Sequence, residues 1–92
     1  MALVGVMLLD PRAGDFERLS RIAQRLNRRH IRYRAVLALI ELISQGLVAP
    51  TGASEAMKML LTWRQNADAP LLAIIDRAEA VVQTKLQVTP RT

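Results

Sequence analysis

The alternation of apolar and polar positions divides the chain into a short apolar arm and four helical stretches. Residues 1–9 are apolar apart from Gly5, and Asp10-Pro11 ends the run. A run this short, closed by a proline turn, fits a buried strand or a buried helix equally in its periodicity. Val4 and Val6 beside Gly5 lean it toward strand. No second good strand follows, so its natural partner as a strand is the same strand of a second copy. As a helix it still needs an apolar surface to lie on, and both readings predict an oligomer. The features of a signal peptide are missing, since no basic residue leads the run and no small-residue cleavage site follows it.

From Asp15 to about Arg29, Phe16, Leu19, Ile22, Ala23 and Leu26 recur at the spacing of one helical face. Asp10 or Asp15 can cap this helix. The early acids Asp15 and Glu17 suit its N-terminal end, and Arg25, Arg28 and Arg29 suit the other. At 100° per residue, this stripe does not run in register into the apolar positions from Ile31 onward. The polar segment from Asn27 to His30 is therefore the expected break. Beyond it, Ala35-Val36-Leu37-Ala38-Leu39-Ile40-Glu41-Leu42-Ile43 is apolar except for Glu41 and rich in Leu and Ala. Those residues predict a helix over 31–45, apolar nearly all round, and such a helix belongs in the middle of a fold. It is too short for a membrane span, which takes about 20 apolar residues. Gly46 is the expected residue just past its end, with Leu47 packing back.

Residues 47–53, with Pro50 and Gly52, read as a loop. Ser54 is a good cap for a third helix over 55–65 carrying Ala56, Met57, Met59, Leu60, Leu61 and Trp63. Asn66 to Pro70 is the next break, with Pro70 suited to the first position of a last helix over 70–86. Leu71, Ile74, Ile75, Ala78, Val81, Val82 and Leu86 share a face of that helix, and residues 88–92 are expected to fray. The expected architecture is all-α: a single domain, a small four-helix bundle-like fold around the central apolar helix, with the N-terminal arm attached.

Composition narrows the chemistry. With 92 residues and 51% hydrophobic content, the chain is long enough for one core. Only Phe16, Tyr33 and Trp63 are aromatic, so that core is aliphatic. No cysteine is present, which excludes disulfides and thiol chemistry and fits a cytoplasmic protein. His30 is the only histidine, the acids are scattered and the four glycines are isolated. A His-paired metal site, a carboxylate metal bundle and a phosphate-binding glycine loop all lack their residues. The expectation is a protein that is not an enzyme and has no metal or cofactor. The plain reading of His30 is a solvated turn histidine. For Trp63 with Met57 and Met59, core filling is favoured over an adaptable binding face.

Charge adds the one functional lead. The net charge is +5. Between Arg12 and Arg34, eight arginines face only Asp15 and Glu17, a balance of +6, while the rest of the chain stands at −1. On a helix from Asp15, Arg18, Arg21, Arg25, Arg28 and Arg29 fall within a stripe roughly 100° wide, and Arg32 and Arg34 follow at the start of the central helix. Such a stripe is the footprint of a surface that follows a phosphate backbone, and arginine's planar fork suits phosphate and carboxylate alike. The alternative is a solvated face whose arginines pair with Asp76, Glu79 or acids of a partner chain.

Ser20-Arg21-Ile22-Ala23-Gln24-Arg25-Leu26, then an apolar helix, then Gln45-Gly46-Leu47-Val48, resembles the helix-turn-helix part of winged-helix DNA-binding proteins. The resemblance covers about a third of the chain. It implies that His30, Arg32, Tyr33 and Arg34, near the start of the second helix, face the major groove. Asn27 stands where that family has glycine, the span from Leu26 to Gly46 is about two residues longer than the family pattern, and the segment after Pro50 reads as helix where the family has its wing. The expected function is a non-enzymatic binding module whose arginine-rich helix face meets an anionic partner, DNA or RNA before an acidic protein. The alternative is a structural or adaptor protein that binds another protein through apolar helix faces. A homo-oligomer is expected in either case, a dimer first.

Overall fold

A computed structural model describes Arg12 and residues 14–86. The expected arm at 1–9 and the frayed tail at 88–92 lie outside the described residues. Four helices follow in order: α1 (Asp15–Ile22), α2 (Arg29–Ser44), α3 (Ala53–Arg64) and α4 (Ala69–Val81). A 3-10 turn extends α1 over Ala23–Arg25, another over Pro50–Gly52 leads into α3, and a π turn over Val82–Leu86 extends α4. Among the described residues there is no strand, and the helices pack on one another as a small all-α bundle.

The central helix is α2, as its sequence predicts. Ala35, Val36, Ala38, Leu39 and Leu42 are wholly buried and Ile43 nearly so. Its most extensive partner is α4, which presents Leu71, Ile74, Ile75 and Ala78 to the core. The alanines Ala35, Ala38, Ala56 and Ala78 lie within the same wholly buried set, where their small side chains let helices approach closely. Burial stops short of the whole circumference, because Leu37 and Ile40 remain half-buried and Tyr33 and Arg34 are exposed. Leu19 of α1, Leu60 and Trp63 of α3, and Val82 and Leu86 of the π turn complete one continuous core, aliphatic but for the buried tryptophan and the Phe16 ring packed against it.

The first helix ends earlier than its apolar stripe suggests. A helix over 15–29 is expected, yet α1 stops at Ile22 and its 3-10 continuation at Arg25. In a continued α-helix the Ala23 carbonyl would accept the N–H of Asn27. Here it accepts the Leu26 N–H at 3.3 Å and the Trp63 indole Nε1–H at 2.9 Å. Leu26 and Arg28 are extended, and α2 begins directly at Arg29. The expected break is therefore present, but its width comes from a side chain forty residues away.

Local chemistry accounts for the remaining ends. Gly46, at φ +75°, closes α2 in a Schellman arrangement: its N–H reaches the Ile43 carbonyl at 3.0 Å and the Leu47 N–H reaches the Leu42 carbonyl at 2.9 Å. Ser54 is not the cap of α3. The Pro50–Gly52 turn runs straight into that helix, so Ser54 falls inside its first turn and Gly52 occupies the cap position. For α4 the cap is Asp68, whose carboxylate accepts the Leu71 N–H at 3.2 Å, which puts Pro70 at the second helical position and not the first. Two polar links tie the helices together. The Ser20 hydroxyl donates to the Glu55 carboxylate at 2.7 Å between α1 and α3, and Arg64 of α3 pairs with Asp76 and Glu79 of α4 at 2.7 and 2.9 Å. No helix among the described residues is long and apolar enough to cross a membrane.

Changing Trp63 to Phe keeps the aromatic volume but removes the indole donor from the buried end of α1. It should cost about 2 kcal/mol in urea denaturation, in line with leaving a buried acceptor poorly paired. A cost under about 0.5 kcal/mol, the size of a neutral surface change, contradicts this account of the break. Gly46→Ala meets no atom within 4 Å but must adopt a left-handed backbone, so it should cost about 1 kcal/mol by the same measurement.

Candidate functional site

The expected five-arginine stripe on one helix does not form, because the chain leaves α1 before Arg28 and Arg29. The arginines fall into two groups on either side of the break. Arg18, Arg21 and Arg25, spaced three and four residues apart, surround Ile22 and line a shallow, open depression of about 280 Å³. Arg28, Arg29, Arg32 and Arg34 mark the linker and the first turns of α2.

Their surroundings differ in ways that sequence spacing does not reveal. Arg18 is largely exposed and lies 3.9 Å from the Asp15 carboxylate. That acid is committed elsewhere: it is nearly buried and accepts the Arg12 backbone N–H at 2.9 Å, while its own N–H returns to the Arg12 carbonyl at 3.1 Å. Arg29 pairs with Asp68 at 2.8 Å, but its side chain remains 72% exposed. A pair this open contributes about 0–1 kcal/mol and leaves the guanidinium with unused donors. Arg32 turns inward. Its Nε–H donates to the Leu26 carbonyl and a terminal N–H to the Gln65 carbonyl at 3.0 Å, so one guanidinium braces the α1–α2 linker against the α3–α4 loop.

Arg21, Arg25, Arg28 and Arg34 are exposed, and among the described residues no carboxylate lies within ion-pair distance of any of them. The acids considered as their internal partners, Asp76 and Glu79, are held by Arg64 of α3 instead. Hydrogen bonding to Asp76, then to Glu79, raises the Arg64 pKa above its ordinary value. Arg21, Arg25, Arg28 and Arg34 thus remain on the surface as open guanidinium groups.

A second concavity, invisible in the sequence, lies between the starts of α2 and α4. Arg29, His30, Tyr33, Asp68, Pro70 and Leu71 line an open cavity of about 380 Å³ at the surface. The pairing that brings its walls together, Arg29 with Asp68, spans 39 residues and leaves no local signature. His30 is exposed at this rim, in the first turn of α2. Trp63 is wholly buried, Met59 is buried and Met57 half-buried, so these residues fill the core. Among the described residues no cluster of three or more His, Cys, Asp or Glu side chains is placed to hold a metal ion.

Comparison with protein-family models, curated proteins and solved structures found no match. The fold and the site define a small all-α bundle with exposed arginines on either side of the α1–α2 break. The helix–break–helix of α1 and α2 occupies the segment that resembles winged-helix proteins. The chain beyond Pro50 is helical, however, and among the described residues no strand supplies a wing. Of the residues which that resemblance turns toward a groove, His30, Tyr33 and Arg34 are exposed and Arg32 is engaged with backbone carbonyls.

This division predicts unequal mutational costs. Arg32→Ala removes charge-assisted bonds to two carbonyls and should cost about 1–2 kcal/mol, allowing for its partial exposure. Arg21→Ala and Arg25→Ala should each stay within about 0.5 kcal/mol of the parent. Thermal or urea unfolding of the three variants checks this ordering, and equal costs for all three contradict it.

Proposed function

We propose that this protein is a non-enzymatic binding module whose exposed arginines meet an anionic partner, nucleic acid before any other. The observation that carries the proposal is the set Arg21, Arg25, Arg28 and Arg34, exposed without an acid in reach among the described residues. Unneutralised like charges on a small surface repel one another, and binding to a phosphate backbone relieves that repulsion while releasing the counterions condensed on it. Guanidinium groups spread over α1, the linker and the first turns of α2 suit an extended polyanion better than a compact one. Arginine's fork also fits phosphate oxygens with two parallel hydrogen bonds. A cytoplasmic location belongs to the same proposal and agrees with a chain that has no cysteine.

A second reading is favoured by Leu61, 58% exposed on the outer side of α3 beside half-buried Met57. In it the protein is structural or an adaptor, and it self-associates, as a dimer first, or holds another protein through that helix. Sedimentation separates the two: Leu61→Lys lowers the oligomeric state if α3 is the interface and leaves it unchanged if the arginine face carries the function.

For the first reading the measurement is binding to a short generic duplex and a single strand over a range of salt. Affinity should fall with salt, with a slope of roughly −3 on logarithmic axes if about three phosphates are neutralised. Changing Arg18, Arg21 and Arg25 together to Glu should abolish binding while the helical content is kept. Binding that survives this triple change, or no binding at about 50 mM salt, a concentration at which phosphate contacts are strong, overturns the reading.

A further inference from the structure

We infer that the cavity between the starts of α2 and α4 receives an unpaired base of the strand whose phosphates lie on the arginines. The inference rests on the nucleic-acid reading and deepens it, from a surface that attracts polyanions to one that favours a single strand over a duplex.

Three observations carry it. The cavity, about 380 Å³, falls within the roughly 300–1,000 Å³ range of small-ligand clefts. One wall is Tyr33, whose side chain is 38% exposed although the core buries the chain's tryptophan completely. Exposed Pro70 supplies further apolar surface, with Leu71 buried behind it. A partly exposed aromatic side chain beside an exposed proline suits a flat, heteroaromatic ligand that stacks.

The polar lining points the same way. It is mixed in sign: the Asp68 carboxylate, fixed by the Arg29 guanidinium at 2.8 Å and the Leu71 N–H at 3.2 Å, stands with the His30 ring in the same cavity. A carboxylate at that place repels phosphate but accepts hydrogen bonds from the exocyclic amine of a base. The Arg29 guanidinium, 72% exposed, donates to a ring nitrogen or a carbonyl.

Two further arginines lie next in the chain to residues that line the cavity. Arg28 precedes Arg29 in the chain, and Arg34 lies one helical turn beyond His30; both are exposed without an acidic partner among the described residues. A base seated against Tyr33 would leave the phosphates on either side near these two arginines. In a duplex the faces of the bases are stacked on one another, so only an unpaired or displaced base can occupy the cavity.

The test uses the full chain and three fluorescent oligonucleotides of equal length: a single strand, the same strand with its bases removed, and the duplex. The parent protein should bind the base-bearing strand more tightly than the abasic one. Tyr33→Ala should weaken binding of the base-bearing strand roughly tenfold, the size of one lost stacking contact, and leave the abasic strand and the duplex unchanged. Tyr33→Phe, which keeps the stacking face, should retain parental affinity, and circular dichroism confirms that both variants fold. Equal affinity for base-bearing and abasic strands, with no effect of Tyr33→Ala, overturns the inference and leaves the backbone reading standing. Failure of the protein to bind any of the three at low salt overturns the backbone reading and this inference with it.

Discussion

The hydrogen bond from the Trp63 indole to the Ala23 carbonyl sets where α1 ends, and the rest of the functional geometry follows from that end. Trp63 is wholly buried, so its N–H needs a partner inside the protein, and the carbonyl at Ala23 supplies one at 2.9 Å. The same carbonyl takes the Leu26 N–H in place of the next α-helical donor, and the helix tightens into a 3-10 turn and stops. The chain then passes through extended Leu26 and Arg28 into α2. Arg32 fastens this corner by bonding the carbonyls of Leu26 and Gln65, so the α1–α2 linker and the α3–α4 loop are held as one unit. A tryptophan in the core and an arginine half outside it thus fix how two arginine-bearing segments stand beside each other.

Much of the fold was legible in the residues because its signals are local. The all-round apolar run from Ala35 to Ile43 marks the central helix, and Gly46 marks its end, since only a residue at ease with positive φ completes the Schellman bonds found there. The break before α2 was also visible, as a change of register between two apolar stripes. The early stop of α1 was not, because Leu26 has the right spacing to continue the helix and the competing donor lies forty residues on. Capping misled in a related way: Ser54 has a cap's chemistry, but Pro50 starts a turn four residues earlier that flows directly into α3. At the site, spacing located the basic region but could not separate its members. Arg32 and Arg34 look alike in the sequence; one braces backbone carbonyls and the other faces solvent without an acidic partner among the described residues.

Electrostatics links this architecture to the proposed function. Arg64 absorbs Asp76 and Glu79, Arg29 holds Asp68, and nearly buried Asp15 accepts the Arg12 backbone N–H, so these acids leave Arg21, Arg25, Arg28 and Arg34 unneutralised. Surface ion pairs stabilise a fold only slightly, and leaving these guanidinium groups open therefore sacrifices little stability. It leaves a field that attracts an extended anion and a set of planar donors suited to phosphate. The Tyr33 cavity, built where α2 and α4 begin, is where the proposed stacking of a base would add to that attraction.

The most direct test of the central claim is to follow the backbone and arginine side-chain resonances of the labelled protein while a short single strand is added at low salt. The account predicts the largest shifts at Arg18, Arg21, Arg25, Arg28 and Arg34, with smaller ones at Tyr33 and His30 and little change at Leu61 or along α3. Shifts centred on α3 with the arginine signals unmoved would contradict it.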